Sequence, residues 1–147
     1  MEIKIRKPIG FSHIGKKDNQ EDSVWPLFEN INTNARCVIL CDGMGGHEHG
    51  DLASQTVSST LGKALTEAMS SEKIYTKEYF NKALSSAYDA LDAVDSGNDE
   101  KKMGTTLTCV CFDDQGVLAA HIGDSRIYQV RPGKGIVYRS SDHSWVN

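Results

Sequence analysis

Three absences narrow the field before any motif is considered. No apolar run approaches the ~20 residues that cross a membrane. The opening stretch MEIKIRKPIGFSHIG alternates polar and apolar residues and lacks the unbroken apolar segment of a signal peptide. Basic residues are not in excess: 16 Lys and Arg stand against 20 Asp and Glu, a formal charge of −4, whereas sequence-independent contact with nucleic acid needs a basic surface. Cysteine is sparse too. Cys37, Cys41, Cys109 and Cys111 are too few, and too apolar in setting, for a disulfide scaffold. The expectation is a cytoplasmic chain with neither membrane nor nucleic acid as partner, its cysteines reduced and buried as small hydrophobes.

What remains is an ordinary globular composition, 39% apolar and 24% charged over 147 residues, enough for one domain with a real core. No repeat or linker divides residues 1–147. Strand-like runs, then helices, then strands favour α+β over regular βαβ alternation. Residues 2–15 read as extended. Val24 to Phe28 reads as a short strand that Pro26 interrupts, which makes it irregular or places it at an edge. CVILC, 37–41, is a continuous apolar run and predicts a strand buried on both faces. Leu61, Leu65 and Met69, with Ala53, Val57 and Ala64, form a helical stripe, and Asp51 suits the dipole at its start. A second helix is expected from Thr76 as N-cap, with Phe80, Leu84, Ala87, Leu91 and Val94 inward and Gly97 as its stop. After a polar loop at 96–102, the runs TLTCVCF, VLAAHI, RIYQV and GIVYR are joined by DDQG, GDS and PGKG, which are hairpin signals and predict an antiparallel meander.

Acidic residues at strand ends are where chemistry would sit. Asp42 follows CVILC and precedes GMGG, so a carboxylate stands at a sheet rim beside glycines that allow close backbone approach. Carboxylate plus the Gly43 carbonyl is a donor set for Mg²⁺, Mn²⁺ or Ca²⁺. Asp124, in a turn after an apolar strand, and Asp22, beside Glu21 at a strand entrance, are further candidates, although each alone is an ordinary turn residue. Two rivals fit poorly. DGMGGHEHG lacks the Gly-Lys-Ser/Thr end of a Walker loop and the spacing of a dinucleotide loop. Zinc on Cys37, Cys41, His47 and His49 would need two cysteines ~13 Å apart along a strand to share one ion at ~2.3 Å. His121, within an apolar run, reads as a hydrogen-bonded structural histidine.

Taken together, SHIGKKDNQEDS (12–23), CDGMGGHEHGDLAS (41–54), GTTLTCV (104–110) and AAHIGDSRIYQV (119–130), followed by DHSWV (142–146), resemble in order the motifs of bacterial metal-dependent Ser/Thr protein phosphatases of the PP2C (PPM) family. The resemblance implies an antiparallel β-sandwich flanked by helices, αββα, of which this chain supplies an N-terminal portion. It implies two or three Mn²⁺ or Mg²⁺ ions. Asp42 would bridge two of them and Gly43 would give a carbonyl. Asp22 and Glu21 would act through bound water, and Asp124 would serve a third ion. A metal-activated water would then attack a phosphoserine or phosphothreonine, with Asp42, Asp22 and Lys17 as the catalytic group. His47 and Ser125 would support the ligands from behind. The implied partners are a phosphorylated protein and, by analogy, a Ser/Thr kinase or its targets.

Three departures qualify the match. Lys17 stands where the family carries a phosphate-binding Arg, and Lys lacks the bidentate fork. Met44 replaces a His of many eukaryotic members, as in bacterial forms. The chain also ends before the family's two later acidic motifs, so part of the metal shell and several strands are missing. A non-catalytic binding or assembly module, completed by a dimer or a partner chain, is the alternative.

Overall fold

The computed structural model describes residues 3–44, 49–72, 77–95 and 103–144. Its strands are β1 (Asp22–Trp25), β2 (Cys37–Met44), β3 (Gly104–Thr105), β4 (Leu107–Phe112), β5 (Val117–Ile122), β6 (Tyr128–Arg131) and β7 (Gly135–Arg139); its helices are α1 (Gly50–Glu72) and α2 (Lys77–Val94). The main sheet has the order β1-β2-β4-β5, with β3 pairing the far end of β2, and β6 and β7 form a separate hairpin. All pairings are antiparallel. β1 lies at an edge of the main sheet, where Pro26 directly after it costs no ladder hydrogen bond.

Alternation along β2 separates two environments. Cys37, Ile39 and Cys41 are buried against α1, together with Leu107, Cys109 and Cys111 of β4. The helix stripe is the expected one, with Ala53, Val57, Leu61 and Leu65 all buried. Burying a Leu contributes roughly 1.5–3 kcal/mol, so Leu61 and Leu65 are principal anchors of helix on sheet. α2 packs behind α1 through Phe80, Ala83 and Ala87. Leu84 and Leu91 are partly buried, and Val94 is exposed. Thr76, Gly97 and the loop 96–102 lie outside the described residues.

Three expectations change. β2 is not buried on both faces, because Leu40 is 42% exposed. The helices cover one side only, and residues such as Ile5 and Ile9 border the other. The strand expected over Val24 to Phe28 is Asp22–Trp25 instead, ending before Pro26, and Phe28–Asn30 forms a short 3-10 turn. The meander also breaks. β4 and β5 pair as a hairpin, as do β6 and β7, but Gly123-Asp124-Ser125 carries the chain out of the main sheet instead of turning β5 back on itself. Gly123 has φ +98°, and a Cβ there would lie 2.8 Å from Thr106 Cγ2. Both its handedness and its closeness to Thr106 therefore require glycine.

Candidate metal centre

The rim of the main sheet gathers the acidic residues. In the β1–β2 register Asp22 faces Asp42. The neighbouring pair is bonded through Gly43 N–H to the Glu21 carbonyl (2.9 Å), so Asp22 and Asp42 occupy the non-hydrogen-bonded register, where facing side chains come closest. Burial, then repulsion from and hydrogen bonding with Asp22, raise the Asp42 carboxyl above the ordinary aspartate range; Asp124 adds to the rise and Lys17 opposes it. Asp42 thus feels two other carboxylates and one ammonium. Such an excess of negative charge fits a cation.

Lys17 donates to Glu21 Oε2 at 3.4 Å. The pair is exposed on the Lys side and contributes little to stability, but it holds the ammonium at the rim. Glu21 itself rests against the first residue of α1. A Cβ on Gly50 would stand 3.1 Å from Glu21 Oε1, and one on Gly43 would stand 1.8 Å from the Gly50 carbonyl oxygen. Two glycines therefore let β2 and the start of α1 meet, and the helix N-terminus lies beside the Glu21 carboxylate. Ser23 Oγ and Ser58 Oγ, 3.0 Å apart, tie β1 to the same helix.

Thr106 is the residue the sequence reading passed over. Its Oγ1 accepts from Asp42 N–H (2.9 Å), its own N–H donates to the Asp42 carbonyl (2.9 Å), and Oγ1 lies 2.7 Å from Ser125 Oγ. One buried hydroxyl joins the Asp42 strand to the Asp124 turn. The only signal was its place inside GTTLTCV. The Asp142-His143 pair does similar work from the other side. His143 N–H donates to the Gly123 carbonyl (3.0 Å), and Gly123 N–H donates to His143 Nδ1 (3.3 Å). Arg126 grips Asp142 with two bonds of 2.8 and 2.7 Å, which holds the Asp142 carboxyl below its usual range. His121 is hydrogen-bonded as expected, its Nε2 2.7 Å from the Ser141 carbonyl oxygen, and it stacks on His143. Asp22, Asp42, Asp124, Lys17, Glu21, Gly43 and Ser125 therefore gather at one rim. Gly45, Gly46 and His47 lie outside the described residues. Cys37 and Cys41 stay within β2 and face the core.

A family model described as Protein phosphatase 2C matches residues 9–144. The protein phosphatase PhpP of Streptococcus pneumoniae is 33% identical over 148 residues, covering 100% of this chain and 57% of that protein. The Mycobacterium tuberculosis serine/threonine phosphatase PstP/Ppp, as a crystal structure, superposes with a TM-score of 0.67 at 31% identity, over 96% of this chain and 54% of that one. The catalytic domain of serine/threonine protein phosphatase PstP, solved with two manganese ions, superposes with a TM-score of 0.63 at 33% identity over 90% and 53%. The chain thus spans little more than half the length of these relatives.

Proposed function

The chain belongs to the protein phosphatase 2C family, and from that premise we propose that it is the N-terminal part of a metal-dependent phosphatase acting on phosphoserine and phosphothreonine in proteins. The observation that carries the proposal is the facing pair Asp22–Asp42, with Asp124 within electrostatic reach and Lys17 beside them. Asp42, Asp22, Asp124, the Gly43 carbonyl and, through water, Glu21 would hold Mn²⁺ or Mg²⁺. When bound, such ions lower the pKa of water and neutralise charge on phosphoryl oxygens.

This chain's own contribution is positional. The β1–β2 ladder fixes the spacing of Asp22 and Asp42. Thr106 and Ser125 fix the Asp124 turn relative to Asp42. Lys17, held beside Glu21, would supply a point charge for a phosphate. His47 is assigned a supporting role by resemblance alone. A phosphoprotein, by analogy a Ser/Thr kinase or its target, is the proposed substrate, and the cytoplasm the proposed location.

The test is phosphate release from an aryl phosphate with and without Mn²⁺, by this chain alone and by this chain followed by the C-terminal part of the PstP catalytic domain. Mn²⁺-dependent turnover in the completed chain that Asp42→Asn abolishes supports the proposal. Inactivity of both forms, with Mn²⁺ bound by neither, sinks it in favour of the silent module.

A further inference from the structure

Away from the acidic rim, the opposite end of β2 holds a second cluster of donors. Cys37 and Cys111 face each other across β2 and β4. Their neighbours are bonded through Phe112 N–H to the Arg36 carbonyl (2.8 Å), so this too is the close, non-hydrogen-bonded register. Cys109 lies two residues along β4 on the same face. The Sγ–Sγ distances are 3.3 Å (Cys37–Cys111), 3.6 Å (Cys109–Cys111) and 4.0 Å (Cys37–Cys109), and all three thiols are buried and unbridged. A cleft of about 520 Å³, lined by Trp25, Asn34, Arg36, Thr66 and Met69, reaches Cys37 from outside.

We propose that Cys37, Cys109 and Cys111 form a three-thiol site for a trivalent thiophilic ion of the arsenite class. Geometry and charge select the ligand. The point equidistant from the three sulfurs is about 2.1 Å from each, slightly short of a ~2.3 Å metal–thiolate bond. An ion with such bonds sits just off the sulfur plane, as a pyramidal centre with a lone pair does. Zinc wants a fourth ligand, and with three thiolates it leaves a net negative charge in an apolar core, which is costly. A trivalent ion with three thiolates is neutral. The condensation balances without an oxidant. Arsenous acid, As(OH)₃, loses three As–O bonds and gains three As–S bonds, and the three thiol protons leave with its hydroxyls as three waters. Cys41, on the same face of β2, stands outside the cluster.

The reduced protein is incubated with sodium arsenite, desalted, and examined for arsenic content and by X-ray absorption. One arsenic per chain with three sulfur neighbours and no oxygen is the expected result, with none retained from arsenate. Cys109→Ala should weaken arsenite retention at least about 10²-fold, as expected when one of several linked contacts is lost. It should leave binding of phenylarsine oxide, which takes two thiols, intact, and Cys41→Ala should change nothing. Failure to retain arsenic, a centre with two sulfurs and an oxygen, or unaltered retention by Cys109→Ala would each overturn the assignment. So would a Cys37–Cys111 disulfide as the sole product of air oxidation in a protein that retains no arsenic when reduced. The absorption measurement uses the unaltered protein, so a variant that does not fold leaves the test standing.

Discussion

The two ends of β2 are chemical opposites. At its start, Cys37 faces Cys111 with soft donors in the buried core; at its end, Asp42 faces Asp22 with hard, acidic donors at a more exposed rim. The separation is five residues, about 17 Å of strand. Both pairs sit in the non-hydrogen-bonded register, so proximity alone does not distinguish them. Side-chain parity does. Odd-numbered positions of β2 face α1 and even-numbered ones face away. A thiol at an odd position is therefore covered, and a carboxylate at an even one keeps access to solvent and ions.

The sharpest way to break this contrast is to remove the charge at the rim. If the proposed activity holds, Asp42→Asn should lower Mn²⁺-dependent turnover of the completed chain by at least about 10³-fold, roughly 4 kcal/mol of barrier, while leaving the reactivity of the thiol cluster unchanged. Steady-state kinetics alongside thiol titration in denaturant-free buffer would show whether the two ends are independent.

Parity itself is tested on adjacent residues. Ile39→Ala, on the covered face with no exposure, should cost about 2–5 kcal/mol in urea unfolding. Leu40→Ala, 42% exposed on the open face, should cost less than about 1 kcal/mol in this chain. Equal losses would mean that the open face is covered in solution.

Thr106→Val removes the hydroxyl that joins the Asp42 strand to Ser125 and leaves Asp42 N–H without its side-chain acceptor. A loss of about 1–3 kcal/mol is expected, with weaker Mn²⁺ affinity by calorimetry. Thr106→Ser should restore most of both.

The smallest effect is electrostatic. Burial and Asp22 raise the Asp42 carboxyl above its unfolded value. The stability linked to that proton is fully present below the ordinary aspartate range and is lost as pH rises through the raised value. In metal-free protein Asp42→Asn should therefore match or exceed wild type by about 0.5 kcal/mol near neutral pH, an advantage that vanishes in acid. Urea midpoints at the two pH values check the sign. Mn²⁺ should reverse the order at neutral pH, because only wild type gains from binding.

Much of the site was legible because motif residues are contiguous. Asp42-Gly43 directly after an apolar run, and Gly123-Asp124-Ser125 after another, mark rims without any structure. Thr106 was not legible in the same way: a threonine in a strand-like run looks like any other until β2 and β4 are in register. Nor did the short GDS segment show that the chain leaves the sheet there. It carries hairpin residues, and the approach of Gly123 to Thr106 and the grip of His143 on the turn are contacts between distant parts of the chain. The continuity of CVILC likewise said that the strand was apolar, not that one face lacked a cover.

By itself the sequence determined the helix stripes, the apolar strands, the acidic rim residues and the family motifs, since these depend on local period and on residue type. Which side chains meet was decided only by tertiary structure. The pairing of Asp22 with Asp42, the tie through Thr106 and the gathering of three thiols from two strands all depend on strand register. Register is a property of paired chains, set by how the apolar patterns of two strands and the turns between them match, so neither strand gives it alone.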